Sequence, residues 1–186
     1  MLVWGGANGS TERFKPLADG AIYSPADNAW TPMAPYPQTT ETPARDTFSS
    51  VWTGTHMLVW GGYGRTEACR PCLHDDGAAY DLNTDSWTLM TPSGLSARGG
   101  HRAVWTGREM VVWGGFTATE LNDGAAYNAA DDTWSQLPNS PLLGRQGHAM
   151  VWVGEKMVVW GGHGPHGEGE ARNPNHDDGA VLSLRG

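Results

Sequence analysis

The chain has 186 residues, a formal net charge of −8 and only two cysteines, and this length suits one domain or two small ones. The acidic balance excludes a nucleic-acid or anionic-membrane surface, because both partners require a basic footprint. No run of eighteen apolar residues occurs, so the sequence predicts no membrane insertion. Two cysteines in one loop do not fix a redox compartment.

One sequence unit recurs and organises the chain. Its clearest copy runs from Arg98 to Gly115, RGGHRAVWTGREMVVWGG, where two apolar runs flank a short polar turn, as in a β-hairpin. The same pattern returns at 45–62 and 145–162, and its last six letters, MLVWGG, open the chain. A recurring unit of this size is typical of repeat architectures.

Each complete unit is predicted to contain four short strands, named a to d in chain order. The first two strands of the units lie at these positions: strand a at 48–52, 101–105 and 148–152, strand b at 57–60, 110–113 and 157–160. Strand c carries a Gly-Ala-x-Tyr segment, and strand d carries a single Trp. The first unit lacks strand a and the last lacks strand d. No helical period of adequate length appears.

Strands a and b are apolar on both alternating faces, as expected for sheets that are covered on both sides. All ten tryptophans fall on repeat positions. We interpret them as inter-sheet packing, because burial of one Trp removes roughly 150–250 Å² from water. Units that bury both faces must stack on copies of themselves, and the closed solution is a β-propeller.

These features resemble the kelch-repeat family. The matching residues are the Gly pairs after strand b, the Tyr of strand c, the Trp of strand d and the Arg-x-x-His openings, although Phe48 stands where two units carry His and Leu182 where Tyr is expected. The resemblance implies an all-β fold, a kelch-type β-propeller fragment of about three and a half four-stranded blades that does not close by itself. The expected blades of this single region, 1–186, are 1–44 (partial), 45–97, 98–144 and 145–186 (partial).

Loop length varies at one end of the expected propeller. The a–b hairpins are constant, whereas the b–c loops hold twelve, thirteen, seven and fifteen residues, at 7–18, 63–75, 116–122 and 163–177. Variable loops on a rigid scaffold usually carry binding function. The predicted function is therefore a non-catalytic binding scaffold that recognises a protein or a carbohydrate through its b–c and d–a loops. We predict no catalytic residue and no cofactor.

The candidate ligand contacts are the residues that precede or open strand a: Arg45, Arg98, Arg145, His101 and His148. In ligand-binding kelch proteins, arginines at similar positions contact acidic partners, so the resemblance implies a place near the mouth of the channel. The alternative for the arginines is an ion pair with a neighbouring blade, formed with the Asp before strand c. The alternative for the histidines is a hydrogen-bonded framework role.

Two b–c loops carry residue types that bind metals. The first loop contains Cys69, Cys72 and His74, which fit half a zinc site, a redox pair, a disulfide that staples the loop, or two idle thiols. The second loop contributes three further candidates: His163, His166 and His176. Imidazoles so close together could hold a transition metal. The alternative is a fortuitous polar loop, because a Gly-rich loop is a poorly preorganised cage.

Other functions stay open. The kelch family includes a copper-dependent sugar oxidase and a sialic-acid epimerase, so the alternative is a fragment of a carbohydrate-active enzyme, although the oxidase's Tyr and His copper ligands cannot be matched residue by residue. A third possibility is a purely architectural role. A piece of a ring is expected to expose apolar sheet faces at both ends, which predicts self-association. The resemblance slightly favours an extracytoplasmic location.

Overall fold

The computed structural model describes residues 1–9, 15–37, 43–65, 69, 72–164 and 175–183. The regular elements within these ranges are β-strands: β1 (Leu2–Trp4), β2 (Ala7–Asn8), β3 (Lys15–Pro16), β4 (Gly20–Ser24), β5 (Ala29–Pro32), β6 (Ser49–Trp52), β7 (His56–Trp60), β8 (Tyr63–Gly64), β9 (Cys72–Leu73), β10 (Gly77–Asp81), β11 (Ser86–Leu89), β12 (Arg102–Trp105), β13 (Glu109–Trp113), β14 (Gly124–Asn128), β15 (Thr133–Gln136), β16 (Ala149–Val153), β17 (Lys156–Trp160) and β18 (Gly179–Ser183). In the described part of the chain, no helix could span a membrane.

Four antiparallel sheets follow one another along the chain, and we number them units 1 to 4. Their strand orders are β1-β4-β5, β6-β7-β10-β11, β12-β13-β14-β15 and β16-β17-β18. The all-β, partial-propeller fold is thereby confirmed, since the sheets of the described residues do not close into a ring. Two small hairpins in the b–c loops, β2-β3 and β8-β9, were not expected, because two-residue strands leave no readable period.

Strand b is buried on both faces in the central units. On β13, Met110 and Val112 pack against unit 2, whereas Val111 and Trp113 pack against unit 4. All four side chains are at most 2% exposed. Alternate residues of a strand point to opposite faces, so a continuous apolar run serves two interfaces at once.

The two end sheets expose the faces that the central sheets bury. Trp60 and Trp113 are 0% and 2% exposed, whereas Trp160, at the same repeat position, is 59% exposed. Trp30 of unit 1 is also exposed, and so is Trp52 of unit 2, which lines a groove together with Met1 and Leu2 of unit 1. The interpretation of every Trp as inter-sheet packing is therefore wrong for these three, because no described sheet or strand covers them.

The inner strands of neighbouring units are joined to each other by hydrogen bonds. Ser49 Oγ donates to the carbonyl of His101 at 3.1 Å. Arg102 Nε donates to the carbonyl of His148, also at 3.1 Å. The contacts place β6, β12 and β16 side by side, so strand a is the innermost strand of each unit.

The outer strands of neighbouring units are joined by a different set of hydrogen bonds, centred on the c–d turn. Tyr80 donates its hydroxyl to Asp85 Oδ1 at 2.6 Å, and the same oxygen accepts the amide of Ala34 from unit 1 at 2.8 Å. Trp87 Nε1 donates to the Ala34 carbonyl at 3.0 Å. Unit 3 repeats this arrangement on unit 2 with Tyr127, Asp132, Trp134 and Thr91. The outer strands of units 2 and 3 are thus each hydrogen-bonded to the unit before them.

Candidate functional site: the loop face

A Gly pair ends each strand b and reverses the chain towards the b–c loop. Gly114 and Gly115 have φ values of +73° and +91°, a region that favours glycine. A Cβ on Gly114 would lie 2.8 Å from Cε1 of His148 in the next unit. Close approach between units therefore requires glycine at the start of the turn.

The arginine before strand a is a structural anchor of its own unit. Arg98 is 0% exposed, and its Nη1 lies 2.7 Å from Asp123 Oδ1 while Nη2 donates to Oδ2 at 3.1 Å. Nη1 also donates to the carbonyl of Gly114 at 3.2 Å, and Nε donates to the carbonyl of Ser96 at 3.0 Å. The guanidinium thus fixes three segments around the start of the b–c loop.

The other two arginines repeat these contacts. Arg45 Nη1 lies 3.0 Å from Asp76 Oδ1, and Arg145 Nη1 lies 2.8 Å from Asp178 Oδ1; both arginines are 0% exposed. Each Asp belongs to the same unit as its Arg, not to the neighbouring blade. The link between units comes from the backbone, because the amide of Gly62 donates to the Arg98 carbonyl at 2.8 Å.

These ion pairs shift the pKa values of the carboxyl groups. The hydrogen bond from Arg98 holds the pKa of Asp123 below its usual value, and Arg145 does the same for Asp178. Burial by itself would raise the pKa of Asp76, but hydrogen bonds from His74 and Arg45 outweigh burial and lower it. All three carboxylates therefore stay charged at neutral pH.

The two candidate histidines lie between units, against the Trp of the preceding strand b. The ring of His101 meets that of Trp60 edge-on at 5.1 Å, and His148 meets Trp113 at the same distance. Burial lowers the pKa of His101 to about 3 and that of His148 to about 4. Both rings are therefore neutral and enclosed.

Phe48 occupies the corresponding position in unit 2. Its ring meets Trp4 of unit 1 edge-on at 5.2 Å. An aromatic ring of either kind thus fills the same slot at three successive interfaces, which explains why Phe replaces His there. The ligand-binding role of the arginines and histidines stays a prediction, and their burial and contacts support framework roles.

The first metal candidate, formed by Cys69, Cys72 and His74, lies in a loop that is closed by a disulfide. Cys69 and Cys72 are joined by a disulfide, so neither sulfur is a thiolate available to a metal in this form. His74 is buried, and its Nδ1 lies 3.5 Å from Asp76 Oδ1, beside the Arg45 ion pair.

The second metal candidate is only partly described. His163 Nδ1 lies 2.8 Å from Asn175 Oδ1, and His176 Nδ1 lies 4.0 Å from Asp178 Oδ1. His166 lies outside the described residues. Among those that are described, no three His, Cys, Asp or Glu side chains come together in a metal-binding group. Both metal sites stay predictions.

A further group of residues follows the Gly pairs and the buried arginines in the chain, and sequence reasoning singled out only His163 among them. We define the loop face by six residues, the first of the b–c loop in units 2 to 4 and the one after each of the three arginines: Tyr63, Phe116, His163, Asp46, Gly99 and Gln146. The first three pair with the last three through isolated antiparallel bridges, whose N–H···O distances are 2.7–3.2 Å. Apart from His163, which the sequence analysis named as a metal candidate, their only sequence signal was their position beside the Gly pair and the Arg.

The loop face continues across units. The amide of Gly100 donates to the carbonyl of Thr47 at 3.1 Å, and that of Gly147 donates to the Gly100 carbonyl at 3.2 Å. A Cβ on Gly99 would lie 3.4 Å from both Leu73 and Phe116, so these side chains from units 2 and 3 flank the same small residue. Leu73 therefore belongs to the loop face together with Phe116, and the two side chains form a half-buried apolar strip.

Acidic side chains border this strip. Asp46 is partly buried, and burial raises its pKa, while its Oδ1 has no described hydrogen-bond partner. Glu120 accepts a hydrogen bond from Gln146 Nε2 at 3.3 Å. The loop face is thus a fixed surface with an apolar centre and an acidic margin, a composition suited to a macromolecular contact.

Comparison with known proteins agrees with this geometry. A family model described as the KLHDC2/KLHL20/DRC7 Kelch-repeats domain matches residues 1–162. Kelch domain-containing protein 3 from Homo sapiens is 33% identical over 117 residues, which are 62% of this chain and 28% of that protein. The chain thus corresponds to little more than a quarter of that relative's length. The chain belongs to the kelch-repeat family.

Proposed function

We propose that the chain is a non-catalytic protein-interaction scaffold that binds its partner through the loop face. The observation that carries this proposal is the backbone pairing within each unit beside its buried Arg–Asp anchor. The hydrogen bonds from Gly100 to Thr47 and from Gly147 to Gly100 continue this pairing from one unit to the next. Such a surface is held in place before a partner arrives, which lowers the ordering cost of binding. Membership of the kelch-repeat family supports an interaction role.

The placement of the polar side chains supports binding over catalysis. His101 and His148 are at most 1% exposed, so they do not face a substrate. The hydroxyls of Tyr80 and Tyr127 donate to carboxylates in the c–d turns. Carbohydrate recognition and the sugar-enzyme alternative stay predictions, and neither has a described constellation of residues in its favour.

Affinity capture with matched variants tests the proposal. Immobilised chain is exposed to extract of the source organism, beside a variant that carries Leu73→Ala and Phe116→Ala. The control carries Leu82→Ala and Leu89→Ala, two side chains that are 39% and 38% exposed away from the loop face. We expect one protein to be retained by wild type and control, and lost at least tenfold by the loop-face variant.

Two outcomes would count against the proposal. If the loop-face variant retained as much partner protein as wild type, the binding site would not include Leu73 and Phe116. Absence of any retained protein, together with a glycan-array signal that Phe116→Ala abolishes, would favour carbohydrate binding instead, because sugars stack on aromatic rings.

A further inference from the structure

Units 2 and 3 are both complete four-stranded sheets, but they differ where the end of the b–c loop meets the d–a loop. In unit 3, Asn122 Nδ2 donates to the carbonyl of Leu142 at 3.2 Å, so an amide bridges the two loops. Asp75 and Leu95 occupy these two positions in unit 2. An ionised carboxylate only accepts hydrogen bonds, so Asp75 cannot form this bridge to a carbonyl.

The two acceptors of unit 2 share one space. Asp75 and Leu95 both line a cavity of about 330 Å³, which we call the Asp75 cavity. Among the described residues, none donates a hydrogen bond to the Asp75 carboxylate or to the Leu95 carbonyl. The neighbouring Asp76 differs, because its two oxygens accept hydrogen bonds from Arg45 at 3.0 and 3.2 Å. The charge of Asp76 is therefore compensated within the fold, whereas that of Asp75 is not.

The walls of the Asp75 cavity suit a basic side chain. Met90 and Pro92 line it beside Leu95, and the hydrocarbon stem of Lys or Arg packs on apolar surface of this kind while its charged end stays at a polar edge. The charged end carries several N–H donors, so it can bond the Asp75 carboxylate and the Leu95 carbonyl together. The net charge of −8 favours the approach of a basic partner over an acidic one.

The Asp75 cavity adjoins the loop face. Asp75 follows Leu73 by two residues, and Leu73 belongs to the apolar strip. The carbonyl of the intervening His74 accepts the amide of Arg98 at 3.0 Å, and Arg98 is followed by Gly99 of the loop face. A partner segment that contacts the strip at Leu73 therefore passes beside the cavity.

We propose that the Asp75 cavity binds a basic side chain, Lys or Arg, of the protein partner. The Asp75 carboxylate and the Leu95 carbonyl accept hydrogen bonds from its charged end, while Met90 and Pro92 pack against its stem. The ligand thereby supplies the donor that Asn122 supplies in unit 3. That the basic group belongs to a protein partner rests on the proposed function, whereas the affinity of the cavity for a basic group does not.

A titration with one isolated basic side chain tests this site. N-acetyl-arginine methylamide is added to the ¹⁵N-labelled 186-residue chain, and the backbone amide shifts are followed by NMR spectroscopy. We expect weak but saturable shifts that are largest at Asp75, Gly94 and Leu95. N-acetyl-citrulline methylamide has nearly the same shape without the charge, and it should bind at least about tenfold more weakly, because hydrogen bonds between two charged groups are roughly twice as strong as neutral ones.

Variants of the chain locate the binding. Asp75→Asn supplies the amide that unit 3 uses, and Asp75→Ala removes the charge alone; both should abolish the shifts. Asp177→Asn removes the same charge from the corresponding exposed position of unit 4 and should leave them unchanged. No saturable shifts, equal binding of the citrulline compound, or binding that either Asp75 variant retains would overturn the proposal. The titration contains no protein partner, so its failure is distinguishable from failure of the proposed function, which affinity capture tests with Leu73 and Phe116.

Discussion

Arg98 Nη1 lies 2.7 Å from Asp123 Oδ1, and this ion pair joins the start of one inner strand to the end of the b–c loop in the same unit. The Arg98 carbonyl accepts the amide of Gly62 from the preceding unit. One residue thus holds its own loop through its side chain and its neighbour through its backbone, and the equivalent arginines repeat both functions.

The first prediction concerns this anchor. Arg98→Ala should lower the free energy of unfolding by about 2–4 kcal/mol, because it leaves the carbonyls of Gly114 and Ser96 without their donors and removes a buried charged partner. Arg108→Ala, in an exposed a–b turn, should change it by less than about 0.5 kcal/mol. Urea unfolding measures both. Unchanged stability of Arg98→Ala together with lost partner binding would return the arginine to a ligand-contact role.

The second prediction compares two glycines with positive φ. Gly114→Ala should lower the free energy of unfolding by more than about 2 kcal/mol, because the new Cβ meets His148 and the Arg145 carbonyl within 3 Å and the backbone is strained. Gly107→Ala should cost only about 1 kcal/mol, because φ is +97° and nothing lies within 4 Å. Thermal and urea unfolding compare them. If both variants lost the same free energy of unfolding, the positive φ alone, and not the contact between units, would explain the need for glycine at 114.

The third prediction concerns the turn that ties the outer strands. Asp132→Ala should lower the free energy of unfolding by about 2 kcal/mol, since it removes acceptors for the Tyr127 hydroxyl and the Thr91 amide at about 1 kcal/mol each. Asp132→Asn should be close to neutral, because Asn28 accepts the Tyr23 hydroxyl at the same place in unit 1. An Asn variant as unstable as the Ala variant would contradict this account.

The fourth prediction concerns how the stability of the fold depends on pH. Burial depresses the pKa values of His101 and His148, so below pH 6.5 the unfolded chain takes up protons that the folded chain does not. Stability should fall with decreasing pH from about 6.5 towards 4, by up to about 1.4 kcal/mol per pH unit for each histidine. The depressed carboxyl pKa values of Asp123 and Asp178 act separately, since their contribution is lost only below about pH 4.

A double variant isolates the histidines. Phe48 shows that phenylalanine fits against the strand-b Trp, so His101→Phe with His148→Phe should fold and should flatten the slope between pH 6.5 and 4.5. An unchanged slope in urea unfolding across that range would mean that other groups control the acid response.

The fifth prediction separates the disulfide from a metal site. A thiol assay on unfolded but unreduced chain should detect no free thiol, and reduction should release two from Cys69 and Cys72. Metal analysis of the same sample, with and without chelator, should give no stoichiometric zinc. Two free thiols with one equivalent of zinc would establish the metal interpretation.

The sequence predicts the sheets well because burial on both faces leaves a period that repeats with the units. Met110 to Trp113 is apolar throughout, and the structure gives each alternate residue a different neighbouring sheet. Trp160 is exposed for the same reason: a strand-b Trp is buried only where a following sheet packs against it, and no described sheet follows unit 4.

The loop face was harder to predict, because its contacts are set by backbone geometry after the Gly pair. The sequence around an arginine does not show whether its side chain is buried against a carboxylate or faces a ligand. The pairing of Arg98 with Asp123 depends on how the strands of that unit are aligned. Tyr63 and Phe116 show no pattern of their own, since isolated bridges have no period.

The most direct test of the loop face is site-specific photo-cross-linking. p-Benzoylphenylalanine is placed at Phe116 in one sample and at Leu82, outside the loop face, in the other, and both are irradiated in extract of the source organism. We expect a discrete cross-linked protein from position 116 and none from position 82. A product formed only from position 82, or equally from both, would contradict it.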